Sequence, residues 1–254
     1  MERYTRNEIT KQFIEIVTRV SGGDDITLSS SFNDLTFDDL DMVECLIYSE
    51  KVFSIDIPDD KWFDLKTVRD AVDCIEDILE KIKDKMMEDK VTKFGNCAHN
   101  MVERVQKMIA IYPMLHDNVS KAYVDTAVEN LQYFEDMCSQ SDQDGCVEGL
   151  VNLAVIGMCG FLYMTNSNDA NALANQMTDL YARKNRDYGG SFDRSMNKFG
   201  LVVAAIRIGD KANRLQSLIE KGGAEVKDES IADTFIDQAC YSIMTLMWME
   251  GKAN

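Results

Sequence analysis

The near absence of residues that interrupt helices limits the fold of this chain more than any other feature. Only two of its 254 residues are proline, and helix-forming residues are abundant. Apolar residues recur three and four positions apart, as on the buried face of a helix. In the first such segment they are Ile9, Phe13, Ile16, Val17 and Val20. We therefore predict an all-α protein, and a hydrophobic content of 45% is enough for a sizeable core.

The formal net charge of −17 restricts the partners of this protein. An acidic surface repels phosphate backbones and anionic lipid, which argues against direct binding to nucleic acid or to a membrane. A nucleotide is still a possible substrate, because carboxylates that hold Mg²⁺ reverse the local charge.

The cysteines indicate a reducing compartment. There are seven, and no two have the Cys-x-x-Cys spacing, so we expect free thiols. The N-terminus lacks the apolar core of a signal peptide. The most apolar run, 150–164, is interrupted by Asn152, Gly157 and Gly160 and is too short to span a bilayer. We expect a cytoplasmic protein, in the host cytoplasm if a phage encodes it.

Two motifs stand out near the N-terminus: Leu-Asp-Met-Val-Glu at 40–44 and Phe-Ser-Ile-Asp-Ile-Pro-Asp at 53–59. Through them residues 5–82 resemble the acyl carrier proteins, which implies a four-helix bundle. The family's serine, which carries the phosphopantetheine arm, corresponds to Asp39. A carboxylate cannot replace the hydroxyl that forms this phosphodiester, so no phosphopantetheine is expected.

The role of this carrier-like region remains open between two alternatives. It is either a bundle that aids folding and solubility, or a docking module for a protein partner. In the second case the acidic second helix engages a basic patch on the partner. Its acidic residues are Asp38, Asp39, Asp41, Glu44 and Glu50. The expected inward residues of that helix are Leu40, Val43, Leu46, Ile47 and Phe53.

Charge and apolar patterning predict four regions. These are a carrier-like domain at 1–85, a linker at 86–95, a helical framework or oligomerisation region at 96–168, and a nucleotide-associated domain at 169–254. In the third region we expect helices at about 96–111, 119–137 and 145–164, separated by Pro113 and a polar run at 139–144. The last of these is apolar all round, which indicates burial or a subunit interface. We expect a homo-oligomer.

Polar residues are densest, inside otherwise good helices, at 179–249. A helix reaching about residue 186 is broken at 187–192, where Gly189 and Gly190 permit a close turn. Lys184 and Arg186 immediately precede that turn. The combination suits a phosphate or a base edge, and the alternative is an ordinary helix C-cap.

Two later helices carry charged residues at helical spacing. On the helix at 201–221, one flank holds Arg207, Asp210, Lys211 and Arg214, with Asn213 adjoining. On the helix that starts near 228, Glu229, Asp233 and Asp237 follow one another at four-residue intervals. Like charges at this spacing repel, so something must neutralise them. Mg²⁺ is one candidate, and ion pairs with Arg207, Lys211 and Arg214 are the other.

Residues 174–249 resemble the nucleotide modification associated domain 1 family, found largely in phages and bacteria. The motifs are Lys-Asn-Arg-Asp-Tyr-Gly-Gly-Ser-Phe at 184–192, Phe-Gly-Leu at 199–201, the charged flank of the 201–221 helix, and Asp-Glu-Ser at 228–230 with Asp233, Asp237 and Tyr241. The resemblance implies involvement in nucleotide or DNA-base modification.

The helical layout is also similar to the MazG-type all-α nucleoside triphosphate pyrophosphatases and the dimeric dUTPases. Those enzymes hold Mg²⁺ between acidic pairs on adjacent helices and complete their sites across subunits. Here Glu229 and Asp233 are four residues apart rather than three. The other helix offers Asp210 instead of a pair of glutamates, and both departures weaken the case for full pyrophosphatase activity.

The sequence thus predicts a phage-type protein of nucleotide metabolism that binds a (deoxy)nucleotide with Mg²⁺ or Mn²⁺ and acts as a hydrolase on its phosphate chain. The alternative is a non-catalytic nucleotide-binding adaptor whose carrier-like module docks onto a partner enzyme. The predicted metal ligands are Asp210, Glu229, Asp233 and Asp237, of which Glu229 and Asp233 are also the predicted catalytic residues. The predicted substrate-binding residues are Lys184, Lys211 and Arg214 for phosphate, Asn185, Tyr188 and Asn213 for sugar or base, and Asp187, Ser191 and Arg207 nearby.

Overall fold

A computed structural model describes residues 4–23, 25–221 and 230–253 of the chain. Within these ranges the chain forms eleven helices and one isolated bridge between Ser31 and Thr67, which confirms the all-α prediction. The helices are α1 (Arg6–Ser21), α2 (Asp39–Phe53), α3 (Asp59–Trp62), α4 (Val68–Asn100), α5 (Val102–Leu115), α6 (Val119–Gln140), α7 (Gln143–Met164), α8 (Ala170–Tyr188), α9 (Ser191–Phe199), α10 (Val202–Lys221) and α11 (Ile231–Ala253).

The chain divides into two compact units, residues 1–86 and 87–254. In the first unit, α1, α2, α3 and the first part of α4 enclose one apolar core. Trp62 is fully buried at its centre, packs edge-on against Phe13 and donates its indole N–H to the carbonyl of Met42 at 2.9 Å. Because this ring is large and its polar atom is satisfied, it fixes α3 against α1 and α2.

The start of α2 is fixed by a capping box. The Asp38 carboxylate accepts from the amides of Leu40 and Asp41, and the Asp41 carboxylate accepts from the amide of Asp38. The prediction that Leu40 and Ile47 of this helix face the core is wrong, since their exposed fractions are 73% and 56%. The helix carries apolar residues on more than one face, and the core takes the face that contains Leu46 and Phe53.

The predicted linker, 86–95, lies inside the continuous helix α4. Met86 is the last residue of the first unit, and Phe94 is fully buried in the core of the second unit. The predicted regions 96–168 and 169–254 both lie in that second unit.

Helix α7 is the centre of the second unit and packs most extensively against α11 and α6. By length and composition alone, α7 is long and apolar enough to cross a membrane. However, 72% of its most apolar window is buried inside the protein, as is usual for a core helix. A Cβ at Gly157 would lie 2.7 Å from the carbonyl oxygen of Phe235, and a Cβ at Gly160 would lie 2.5 Å from the Phe235 ring. The face of α7 that carries Gly157 and Gly160 is therefore occupied by α11 of the same chain, so of the two alternatives for this helix, burial is the one that the structure shows.

The end of α5 and the presence of α9 differ from the sequence prediction. Pro113 lies inside α5, in its last turn, and the helix ends at Leu115 rather than before the proline. Helix α9 was not predicted, although Phe192 and Met196 are four residues apart and both are buried on its inner face.

We predict that Gly157→Ala lowers the free energy of unfolding by about 1–3 kcal/mol, because the added methyl group meets the backbone of α11. This loss outweighs the gain in helix propensity, which is about 1 kcal/mol. The control is Gly251→Ala, a helical glycine with nothing within 4 Å of an added Cβ, which should not destabilise the protein. Equal denaturant midpoints for Gly157→Ala and the wild type would contradict the close packing.

Candidate functional site: a cationic pocket between α8, α10 and α11

The register of α11 is set by its first turn and by its packing on α7. The Ser230 amide and hydroxyl donate to the Asp233 carboxylate, and the Asp233 amide donates back to the Ser230 hydroxyl. This reciprocal arrangement caps the helix. Phe235 and Ala239 face α7, so Asp237, two residues away and about half a turn round the helix, faces the opposite side.

On that side α8, α10 and α11 border a pocket of about 300 Å³. Each helix contributes residues one turn apart, which is why their side chains converge. The lining residues are Leu180 and Lys184 from α8, Lys211 and Arg214 from α10, and Asp233, Thr234, Ile236 and Asp237 from α11.

Asp237 holds two lysines at this pocket. Its Oδ1 accepts from Lys184 Nζ and its Oδ2 from Lys211 Nζ, each at 2.8 Å. Burial raises the pKa of Asp237, but the hydrogen bonds from the two lysines outweigh burial and lower it. For Lys184, burial lowers the pKa, but the hydrogen bond to Asp237 and the negative charge of that carboxylate together outweigh burial and raise it. The pairing of Asp237 with Lys211 corresponds to the ion-pair alternative left open by the sequence.

The pocket differs in charge from the rest of the protein. Its lining has three cationic and two anionic side chains, a formal charge of +1, in a chain of net charge −17. Lys211 and Asp237 each keep 24% of the side chain exposed, so the ammonium and carboxylate groups are partly shielded from solvent. Partial shielding strengthens their interaction with any further charged group.

The described carboxylates do not fit a Mg²⁺ site. Within the part of the chain that the structure describes, no three His, Cys, Asp or Glu side chains come together in a way that could hold a metal. Both oxygens of Asp237 are paired with lysines, and Asp233 uses Oδ2 to cap α11. Asp210 is exposed and does not line the pocket. Glu229, predicted as a metal ligand and catalytic residue, lies outside the described residues, so the metal prediction stays untested.

The structure separates the predicted substrate-binding residues into two sets. Lys184, Lys211 and Arg214 line the pocket together with Asp233 and Asp237. The others lie elsewhere: Asp187, Tyr188 and Ser191 are exposed near the α8–α9 turn, Arg207 and Asn213 are exposed on α10, and Asn185 is half-buried with its amide against the sulfur of Met87.

The turn between α8 and α9 is built as a helix cap. Gly189 ends α8 with φ +56° and donates its amide to the carbonyl of Asn185, and Gly190 precedes α9 with φ +69°. Both values lie in the left-handed region, where glycine is favoured. Of the two alternatives for this Gly-Gly pair, the C-cap is the one that the structure shows.

Leu180, Thr234 and Ile236 also line the pocket and were not anticipated. Leu180 precedes Lys184 by one helical turn, so the period of α8 could have identified it. Thr234 donates its hydroxyl to the carbonyl of Ser230, a local bond that the sequence did not suggest.

We predict that Asp237→Asn lowers the free energy of unfolding by about 1 kcal/mol at pH 7, a modest value because the pair is partly exposed. The pKa of Asp237 is lowered in the folded protein, so its stabilisation is present above the ordinary carboxyl pKa of about 4 and is lost as pH falls through the lowered value. The difference between wild type and variant should therefore shrink below about pH 4 in urea titrations. The matched control is Asp210→Asn at an exposed position on α10, which should change the free energy of unfolding by no more than about 0.5 kcal/mol.

Comparison with known protein families finds two separate matches. Residues 184–249, which include most of the pocket, match the family profile described as nucleotide modification associated domain 1. No solved structure matches the chain.

The N-terminal region matches curated acyl carrier proteins. The protein from Thermobifida fusca is 37% identical over 76 residues, which cover 29% of this chain and 96% of that relative. The proteins from Porphyromonas gingivalis and Acidothermus cellulolyticus are 41% and 42% identical over 73 and 74 residues, 28% of this chain in each case and 94% and 88% of the relatives. Through this N-terminal region, the chain belongs to the acyl carrier protein family.

Proposed function

We propose that the pocket between α8, α10 and α11 binds the phosphate chain of a (deoxy)nucleotide, within a protein that serves nucleotide or DNA-base modification. The observation that carries this proposal is the net positive lining of the pocket in a strongly acidic chain. The family match at 184–249 supports the same class of ligand.

In this proposal Asp237 positions the two lysines. It holds both ammonium groups at the pocket before a ligand arrives, which reduces the side-chain entropy lost on binding. A phosphate then accepts hydrogen bonds from Lys184 and Lys211 while both remain close to Asp237. Hydrogen bonds between ammonium groups and phosphate oxygens are strong because both partners are charged.

Whether the protein also hydrolyses the phosphate chain separates two candidate functions. A Mg²⁺- or Mn²⁺-dependent hydrolase of phage type needs carboxylates beyond those free in the described pocket. A non-catalytic nucleotide-binding adaptor needs only the cationic lining. The pairing of both Asp237 oxygens with lysines favours the adaptor.

The carrier-like unit gives the adaptor a second surface. The exposed face of α2 contains Leu40, Glu44 and Ile47, which follow one another at helical spacing, and Asp39 is exposed at its start. An acidic face with two apolar side chains is suited to a basic protein surface with an apolar centre. We propose that this unit docks onto a partner enzyme while carrying no phosphopantetheine. We further place the protein in the cytoplasm, where its seven free cysteines stay reduced.

We predict that Lys211→Gln weakens nucleotide binding about tenfold, the loss expected for one charge-assisted hydrogen bond. Isothermal titration calorimetry with each common or modified deoxynucleoside triphosphate, with and without Mg²⁺, measures this. The matched control is Lys198→Gln, which removes the same charge from an exposed position on α9 that does not line the pocket.

The same samples are assayed for released phosphate and pyrophosphate with Mg²⁺ or Mn²⁺. Turnover identifies a hydrolase, and tight binding without turnover identifies the adaptor. The proposed site would be contradicted if no nucleotide binds, or if Lys211→Gln and Lys198→Gln lose the same amount of nucleotide affinity.

We predict that a phosphopantetheinyl transferase with coenzyme A leaves the wild-type protein unmodified and adds one arm to Asp39→Ser, as read by intact-protein mass spectrometry. Asp39 is exposed at the first position of α2, so the substitution should change stability by no more than about 0.5 kcal/mol. Asp34→Ser, an equally exposed change in the preceding loop, is the control and should stay unmodified.

Modification of the wild type would overturn the role assigned to Asp39. An unmodified Asp39→Ser variant would show that the surface that carriers present to the transferase has changed as well.

A further inference from the structure

The unit formed by residues 87–254 has a second pocket, which differs from the first because no charged residue lines it. It has a volume of about 850 Å³ and lies between α5, Tyr123 of α6, the end of α7 and the loop that follows α7. Volumes of 300–1,000 Å³ with apolar and aromatic walls and a few polar groups are typical of small-molecule sites.

No side chain that lines this pocket is charged, although 28% of the residues of the chain are. The apolar part of the lining includes Ile109, Leu162 and Met164, and uncharged polar side chains make up the rest. A charged ligand would lose hydration here without gaining a counter-charge, which selects for a neutral molecule.

Tyrosine rings form one side of the pocket. Tyr123 and Tyr163 line it with ring centroids 5.8 Å apart, and Tyr112 stacks behind Tyr123 at 4.5 Å. Tyr163 is 42% exposed, so part of its ring is available for stacking with a planar ligand. The hydroxyl of Tyr123 is buried and has no hydrogen-bond partner among the described residues, and burial raises its pKa, so it stays a donor.

Three carboxamides complete the lining: Gln106, Asn166 and Asn168. In the described ranges none of their side-chain amides forms a hydrogen bond. They are not needed to start α8, because Asp169 caps that helix by accepting from the amide of Ala172. A carboxamide presents one donor and one acceptor side by side, the arrangement that pairs with the edge of a nucleobase.

We propose that this pocket binds a neutral, planar heteroaromatic molecule, with the chemistry of a nucleobase, stacked on Tyr163 and bonded at its edge by Asn166 and Asn168. The site is separate from the cationic pocket and shares no lining residue with it. It therefore does not depend on the phosphate site proposed above.

Asn166 allows a sharp test, because its φ of +53° is a conformation that glycine adopts without strain. Asn166→Gly removes the carboxamide and leaves the turn favourable, so the fold should be kept. Tyr163→Ala removes the stacking surface. Phe63→Ala is the matched control, since this aromatic residue is 44% exposed and belongs to the carrier-like unit.

The probes are adenosine, guanosine, cytidine and thymidine, titrated into the full chain and followed by saturation-transfer NMR. At least one nucleoside should bind, and its affinity should fall about tenfold or more in Tyr163→Ala and measurably in Asn166→Gly, with Phe63→Ala unchanged. Excess tripolyphosphate, which reports on the cationic pocket, should not displace it.

Three results would overturn this assignment: no nucleoside binding at millimolar concentration, equal affinity in the wild type, Tyr163→Ala and Asn166→Gly, or loss of nucleoside binding in Lys211→Gln. Tripolyphosphate binding is recorded separately, so failure of this site and failure of the phosphate site give different results.

Discussion

The close contact between α7 and α11 is the constraint on which the cationic pocket depends. Gly157 and Gly160 bring the backbone of α7 against Phe235 and Ala239, at distances that no larger residue permits without a shift. This contact fixes which face of α11 points inward. Because residues two apart on a helix face opposite sides, it also fixes Asp237 on the side of α8 and α10. The site is thus positioned by packing on the far side of the helix that carries it.

Electrostatics then determine what the pocket can do. One carboxylate shared by two lysines leaves one positive charge in excess at the pocket. The same arrangement removes Asp237 as a free metal ligand. A pocket with excess positive charge suits an anion, and Mg²⁺ would have to arrive with its own ligands, such as phosphate oxygens. This is why the role that we propose for the pocket is phosphate binding and not metal-dependent hydrolysis.

Sequence patterns predicted the features that depend on local spacing and missed those that depend on tertiary contacts. The all-α class and the carrier-like region follow from helical periods and motifs, and the motifs also placed Lys184, Lys211 and Asp237 among the candidate site residues. The four-residue interval of Asp233 and Asp237 indicated a need for neutralisation, and Lys211 was among the cations considered for it. The pairing of Lys184 with Asp237 could not be predicted, because it depends on how α8 packs against α11. Leu40 and Ile47 were assigned inward because an apolar residue on a short helix does not reveal which face the core takes.

The two units present surfaces of opposite charge: an acidic face on α2 and a net positive lining in the pocket. The exposed face of α2 pairs acidic residues with Leu40 and Ile47, a composition suited to a basic protein surface with an apolar centre. Asp39 at the start of this face lacks the nucleophilic hydroxyl to which a phosphopantetheine arm would be joined. In the adaptor proposal the unit carries no covalent cargo, and the nucleotide bound at the positive pocket takes that place. Under the docking proposal, the carboxylate at position 39 separates the carrier fold from covalent loading and leaves it protein recognition alone.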